Sequence, residues 1–201
     1  CQSCVATMRS NAACTRFAVK LDFLCGLISK ALRCTGGDES RLNQALLGEA
    51  LAYRNMFWAF SDAMCHNPEP WRGDALLPES KAAYAYRVFA PDVYPRLRDI
   101  VERTVTSALI YLPSSARDFA NPDIEPYLAQ YVRGSHGIGH RERIKIMKLL
   151  WDAVGTEFGG RHELYERNYA GSWEDVRMQT YMSAARGGAL KAMEALVDEC
   201  L

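Results

Sequence analysis

From Ala12 to Cys34 the large apolar residues fall at Phe17, Leu21, Leu24, Ile28 and Leu32, in steps of four, three, four and four. Steps of that size put all of them on one face of an α-helix, whose period is about 3.6 residues. Gly36-Gly37 stops this helix. Asp38 or Ser40 can cap a second one, which runs to about His66 through Leu42, Ala45, Leu46, Glu49, Ala52, Tyr53, Met56, Phe57 and Phe60. Asn67-Pro68-Glu69-Pro70 breaks the pattern, and the stretch to Pro78 reads as a loop. A third helical region extends from about Pro78 to Leu112, but Pro91 and Pro95 each remove a backbone donor, which predicts two helices or a kinked one. Residues 113–123 form a loop and 126–133 a short helix. From about His140, Ile144, Met147, Trp151, Val154 and Phe158 make another stripe, interrupted near its end by Gly155 and Gly159-Gly160. A last helix, capped by Ser172, continues to the C-terminus with a weak spot at Gly187-Gly188. No stretch shows the sustained alternation a half-buried strand requires. The expectation is a single all-α domain, residues 1–201, built as a helical bundle.

A chain of this length can bury roughly 70% of the surface its unfolded form exposes, so no covalent staple is needed. The 24 basic and 24 acidic residues cancel, and no Lys/Arg cluster stands out; this argues against nucleic acid or an anionic membrane as partner. No run of about 18 apolar residues and no signal peptide is present. Seven cysteines, at 1, 4, 14, 25, 34, 65 and 200, are an odd number, and the middle ones fall within apolar helical patterns, as buried free thiols of a reducing cytoplasm do. Cys1 and Cys4 form a lone CxxC with no second pair to complete a zinc site. His136 and His140 are four apart, but Gly137 and Gly139 between them speak against a helical metal site, and no Glu-x-x-His pairs mark a di-iron bundle. We expect no metal. Nor is there a nucleophile motif or a phosphate-binding loop, so no residue is assigned a catalytic role. The chain starts at Cys1 without an initiator Met, which suggests a fragment or a processed product.

Three segments bear on binding. In Gly155-Thr-Glu-Phe-Gly-Gly-Arg-His-Glu-Leu-Tyr-Glu-Arg167, glycines sit within an otherwise helical pattern at a cost of about 1 kcal/mol each relative to alanine. Close approach of backbone amides to a ligand, with Arg161 facing an anion such as a diphosphate, is one reason; a helix break or a tight helix crossing is the other. Leu112-Pro-Ser-Ser-Ala-Arg-Asp118 places Ser114 and Ser115 on a loop, where they bind a cofactor or merely cap a turn. Arg16, Lys20 and Arg54 lie in apolar surroundings, directed at a ligand or neutralised by Asp22, Glu49 or Asp62. Glu163 and Glu166 read as solvated or ion-paired.

Together, Arg16-Phe-Ala-Val-Lys-Leu-Asp-Phe23, Leu47-Gly-Glu49 with Tyr53-Arg54-Asn55, Ile110-Tyr-Leu-Pro-Ser-Ser-Ala-Arg-Asp118, Tyr131-Val-Arg-Gly134 and Glu157-Phe-Gly-Gly-Arg-His-Glu-Leu-Tyr-Glu166 resemble the C-terminal portion of the oxygenase component of the 4-hydroxyphenylacetate 3-monooxygenase family, and of related chlorophenol and nitrophenol monooxygenases. The resemblance covers nearly the whole chain. It implies a four-helix bundle similar to the C-terminal domain of acyl-CoA dehydrogenases, with extra short helices, forming a homotetramer core and one wall of a flavin pocket. It also implies reduced FAD delivered by a separate NADH-dependent flavin reductase, and insertion of one atom of oxygen into a phenol. The family's upstream helical and β domains, which orient the substrate, are absent from this chain. On the resemblance, Phe158, Gly159, Gly160, Arg161, Ser114, Ser115 and Arg16 are the cofactor-binding candidates, and Phe158 and Tyr165 the substrate-side ones. The competing expectation is a non-catalytic helical module for oligomerisation or partner binding; a third is an enzyme acting on acyl-CoA.

Overall fold

The computed structural model describes the backbone of residues 2–201 and the side chains from residue 8 onward. Its helices are α1 (Gln2–Thr35), α2 (Arg41–His66), α3 (Ser80–Val105), α4 (Glu125–Tyr131), α5 (His140–Val154), α6 (Glu157–Asn168), α7 (Trp173–Arg186) and α8 (Ala189–Asp198). The first three pack against one another, α5 lies on α1, α6 spans α5 and α3, α7 packs along α3, and α8 packs on α7. Within the segment expected as a loop, β1 (Glu69–Pro70) and β2 (Leu76–Leu77) form a small antiparallel hairpin pairing Glu69 with Leu77.

The stripe of α1 is the axis of the core: Phe17, Leu21, Leu24, Ile28 and Leu32 are all buried. Phe17 meets Phe57 of α2 edge to face at 4.6 Å, an arrangement worth about 1 kcal/mol beyond the area it removes from water. The stripe on α2 is narrower than expected, since its buried residues are Ala50, Phe57, Ser61 and Met64 while Leu42 is exposed. On α5 the buried row is Ile144, Met147, Leu150 and Val154. Trp151 and Phe158 leave that row. The helix ends at Val154, and the Trp151 ring lies over Gly155, where a Cβ would stand 2.3 Å from it.

Two expectations about breaks change. Helix α3 runs through Pro91 and Pro95 as one element. Each proline costs a helix interior about 3 kcal/mol. The two are four residues apart on one half-buried face, and the buried residues Ala90, Val93, Tyr94, Leu97, Ile100 and Val101 hold the helix to the core on either side of them. At the C-terminus, Gly188 takes a left-handed φ of 78° and divides the expected last helix into α7 and α8. Ser172 does cap α7, its side chain accepting from the Asp175 amide.

Cys14, Cys25 and Cys34 are buried free thiols, whereas Cys65, in the last turn of α2, is exposed, as is Cys200. Burial pushes the Cys14 thiol up to about 12 and the Cys25 thiol to about 11. The Cys1–Cys4 pair lies outside the described side chains. No described helix is long and apolar enough to cross a membrane.

Candidate functional site

Helix α1 presents Arg16 and Lys20 one turn apart, and α6 answers with Phe158, His162, Tyr165 and Glu166 at helical spacing, with Tyr169 at its C-terminal cap. Glu166 is only 1% exposed and organises the junction. Its carboxylate accepts from Arg16 Nη2 at 3.0 Å and from Lys20 Nζ at 2.5 Å. The Arg16 guanidinium also lies over the rings of Tyr165, at 4.4 Å, and Tyr169, at 5.2 Å. Lys20 Nζ stands 3.0 Å from His162 Nδ1 and 5.5 Å from the Tyr94 ring. A carboxylate with no exposure needs such partners, because a lone buried charge costs several kcal/mol.

The junction therefore holds two cations against one carboxylate. Arg16 Nε is buried without a hydrogen-bond partner among the described residues. Burial, and then the Lys20 charge, holds the His162 imidazole below its ordinary range, while burial followed by the Glu166 charge pushes Tyr94 up to about 12. Phe158, 57% exposed, lies with its ring 4.4 Å from that of His162. An excess positive charge beside accessible aromatic surface suits a planar, electron-rich group bearing oxygen acceptors, and to that extent the residues present fit a flavin.

Asp22 and Glu49 are not the partners of Arg16 and Lys20. Asp22 binds Arg54 at 2.5 Å and the Trp58 indole at 3.1 Å, and Glu49 takes Arg96 through both oxygens at 2.7 and 2.8 Å. The expected partner set missed Glu166 because it lies 150 residues from Arg16. The local pattern that marks it is two i,i+4 pairs, Arg16 with Lys20 and His162 with Glu166, of opposite net charge on two amphipathic helices. Lys20 was singled out with Arg16, whereas His162 was not.

The glycine-rich segment divides between the two readings left open. The helix break expected here falls at Gly155, which caps the end of α5, while Gly159 and Gly160 stand in the first turn of α6, whose cap Thr156 accepts from the Gly159 amide. A Cβ at Gly159 would stand 2.8 Å from the backbone of Val154, so this glycine is required by the close crossing of α5 and α6. At Gly160 a Cβ would meet nothing within 4 Å. Arg161 is paired with Glu157, yet their side chains are 75% and 79% exposed, which leaves the guanidinium accessible. Ser115 caps its own short 3-10 turn, Ala116–Ala120, in a capping box with Asp118, and no hydrogen bond joins Ser114 or Ser115 to the α1–α6 junction.

The two histidines of the segment before α5 go separate ways, His136 to Asp38 at 3.1 Å and His140 to Glu125 at 3.0 Å. Among the described residues no three His, Cys, Asp or Glu side chains gather as a metal site. A cavity of about 620 Å³ between the end of α1 and this segment, lined by Cys34, Arg133, Ser135 and Arg143 among others, contains none of the predicted site residues.

Residues 3–198 match the family model described as 4-hydroxyphenylacetate 3-hydroxylase C terminal. The 4-hydroxyphenylacetate 3-monooxygenase oxygenase component of Pseudomonas aeruginosa is 56% identical over 94% of this chain and 36% of its own length. A crystal structure of the oxygenase component of 4-hydroxyphenylacetate 3-monooxygenase complexed with FAD and 4-hydroxyphenylacetate superposes with a TM-score of 0.88 at 26% identity, over 96% of this chain and 40% of that one. An archaeal 4-hydroxybutyryl-CoA dehydratase from N. maritimus superposes at 0.80 with 17% identity, over 94% of this chain and 39% of its own, a likeness of fold alone. The chain thus spans less than half the length of these relatives. It belongs to the 4-hydroxyphenylacetate 3-hydroxylase C-terminal family.

Proposed function

We propose that this chain is the flavin-facing helical part of the oxygenase component of a two-component aromatic monooxygenase. When bound, reduced FAD supplies the activation of O2 from which one oxygen atom reaches the phenol ring. The part of this chain is to hold the flavin: Phe158, His162 and Tyr165 give aromatic and polar surface, Gly160 and Arg161 an approach for a diphosphate, and Arg16 and Lys20 a net positive charge. Ser114 and Ser115 belong to the same reading as contacts to the cofactor. Phe158 and Tyr165 also face the phenol. The observation that carries the proposal is the α1–α6 junction, where two cations share one buried carboxylate beside an exposed Phe158.

The reductant comes from a separate NADH-dependent flavin reductase, which meets the oxygenase transiently or passes the flavin by diffusion. The buried free thiols Cys14, Cys25 and Cys34 support a cytoplasmic setting. A homotetramer is supported by α8, on which Met193, Leu196 and Val197 form an exposed apolar stripe. That stripe also favours a second reading, a helical module that only assembles subunits.

A hybrid oxygenase separates the two readings, with this chain in place of the matching segment of the Pseudomonas aeruginosa relative. Supplied with reductase, NADH, FAD and O2, the hybrid is expected to hydroxylate 4-hydroxyphenylacetate, while the 201-residue chain alone forms no product above the reductase control. A hybrid that assembles but binds no FAD and forms no product overturns the flavin reading and leaves the assembly module.

A further inference from the structure

The Lys20 ammonium carries only donors, and one of them is given to Glu166 at 2.5 Å. The nitrogen it meets at 3.0 Å, His162 Nδ1, must therefore be the acceptor. In a neutral imidazole an accepting Nδ1 places the proton on Nε2. A doubly protonated ring would set N–H against the ammonium, and Arg16 adds a second positive charge nearby; Glu166, on the same helix, is already shared between those two cations. Glu166 thus fixes Lys20, and Lys20 fixes the tautomer of His162. Among the described residues His162 Nε2 makes no hydrogen bond and it is not a fully buried atom, so it is a donor with no protein partner. Beside it lies the exposed ring of Phe158.

Resting on the flavin reading above, we propose that His162 is a binding residue of this chain, offering a tautomer-locked Nε2–H to an oxygen acceptor of the bound flavin, with Lys20 and Glu166 as its positioning residues. A neutral donor suits this place. It recognises a carbonyl oxygen without adding a third positive charge to the junction, and it gives up no proton to the ligand at neutral pH. Its worth in binding is that of one hydrogen bond, on the order of tenfold in dissociation constant.

The lock is read without any flavin, by nitrogen-15 NMR of imidazole-labelled protein, with the His162 signals identified by their loss in His162→Gln. The expected spectrum at pH 7.5 has a protonated Nε2 and a bare Nδ1, and Lys20→Met turns it into a tautomer mixture; a ring protonated on Nδ1 in the unaltered chain overturns the proposal. The donor role is read by anaerobic titration of the hybrid oxygenase with reduced FAD. His162→Phe, which keeps a ring against Phe158, is expected to weaken binding about tenfold, and His162→Gln, whose amide can donate from near the Nε2 position, to restore most of it. If Gln fails together with Phe, a donor at this place does not restore binding and the donor role is refuted. If His162→Phe binds like the unaltered hybrid while Arg161→Ala does not, the flavin reading stands and this inference alone falls. No binding by the unaltered hybrid removes both.

Discussion

The ammonium of Lys20 lies 2.5 Å from the wholly buried carboxylate of Glu166, across 146 residues of sequence. Arg16 completes the set at 3.0 Å, but its side chain is 38% exposed and that of Lys20 17%. The three charges are therefore unequal. The cations can turn toward water when the carboxylate is lost, whereas Glu166 has nowhere to go when the cations are lost.

From this asymmetry, the double substitution Arg16→Met with Lys20→Met should cost about 3 to 5 kcal/mol of folding free energy, since it strands a buried charge. Glu166→Gln alone should cost less, about 1 to 3 kcal/mol, the range for an imperfectly satisfied buried polar group. Adding Glu166→Gln to the double variant should recover part of its loss. Denaturant unfolding of the four proteins checks the order, and equal losses for Glu166→Gln and the double variant would show that the carboxylate is not the constrained partner.

The same junction sets a pH dependence. His162 is held below its ordinary value of 6.5, by burial first and by Lys20 second. The unfolded chain therefore takes up a proton at this residue before the folded chain does, and the sign follows: stability is complete above pH 6.5 and falls as the pH drops toward the depressed folded value. Relative to His162→Gln, the unaltered chain should lose stability between pH 7 and pH 5, and Lys20→Met should lessen that loss without abolishing it, because burial remains. Urea midpoints across that range measure it. A difference between the two proteins that is flat with pH would contradict the shift.

The bundle was legible because burial imposes a period on the sequence. The α1 row is buried residue for residue, and Ser172 caps where a short polar residue before acidic ones predicts a cap. The prolines of α3 misled, because the donor each removes is a local loss while the packing that outweighs it comes from α1 and α2, far off in sequence. The candidate site was legible only in its motif. Phe158, Arg161 and Tyr165 stand out as types within one motif, but the i,i+4 spacing of His162 and Glu166 gains its meaning only when the fold sets Glu166 against Arg16 and Lys20. Gly159 was flagged by its cost, yet which neighbour demands the glycine, the Val154 backbone, is a fact of the α5–α6 crossing.

Thiol chemistry tests the core directly. In the native chain Cys65 and Cys200 should react with a disulfide reagent within seconds to minutes, while Cys14, Cys25 and Cys34 wait for unfolding, since they are buried and the first two have thiols pushed to about 12 and about 11. In denaturant, without reductant, all seven cysteines should titrate as free thiols. Fast native reaction at Cys14 would mean that the α1–α2 contact around Phe57, whose carbonyl that thiol contacts, is not packed as described.

The neighbouring glycines should separate folding from binding. Gly159→Ala forces a methyl group to 2.8 Å from the Val154 backbone and should destabilise by about 1 to 3 kcal/mol, the usual cost of overpacking. Gly160→Ala meets open space and should stabilise the α6 turn by up to about 1 kcal/mol. In the hybrid oxygenase the order should reverse at position 160: a methyl where a ligand approaches the backbone should weaken FAD binding while the protein grows more stable. Unchanged affinity in Gly160→Ala would remove that glycine from the flavin contact.

Arg161 supplies the sharpest separation of the two. Its observed partner is Glu157, one helical turn back, and the side chains are 75% and 79% exposed. An exposed pair at this spacing contributes about 0.3 to 0.5 kcal/mol, so Arg161→Ala strands no buried charge and should leave the unfolding midpoint nearly unchanged. The guanidinium is free to exchange that carboxylate for a diphosphate, whose two acceptor oxygens suit its planar fork. A charge-assisted contact of that kind is worth about 1.5 to 3 kcal/mol, or roughly ten- to a hundredfold in dissociation constant. Arg161→Lys keeps the charge and loses the fork, and should fall between. Glu157→Gln, which frees the Arg from its resting partner, should leave FAD affinity unchanged or tighten it slightly. Titration with FAD beside denaturant unfolding, for all three variants in the hybrid, checks the set, and a large loss of stability in Arg161→Ala with undiminished affinity would return Arg161 to a structural role.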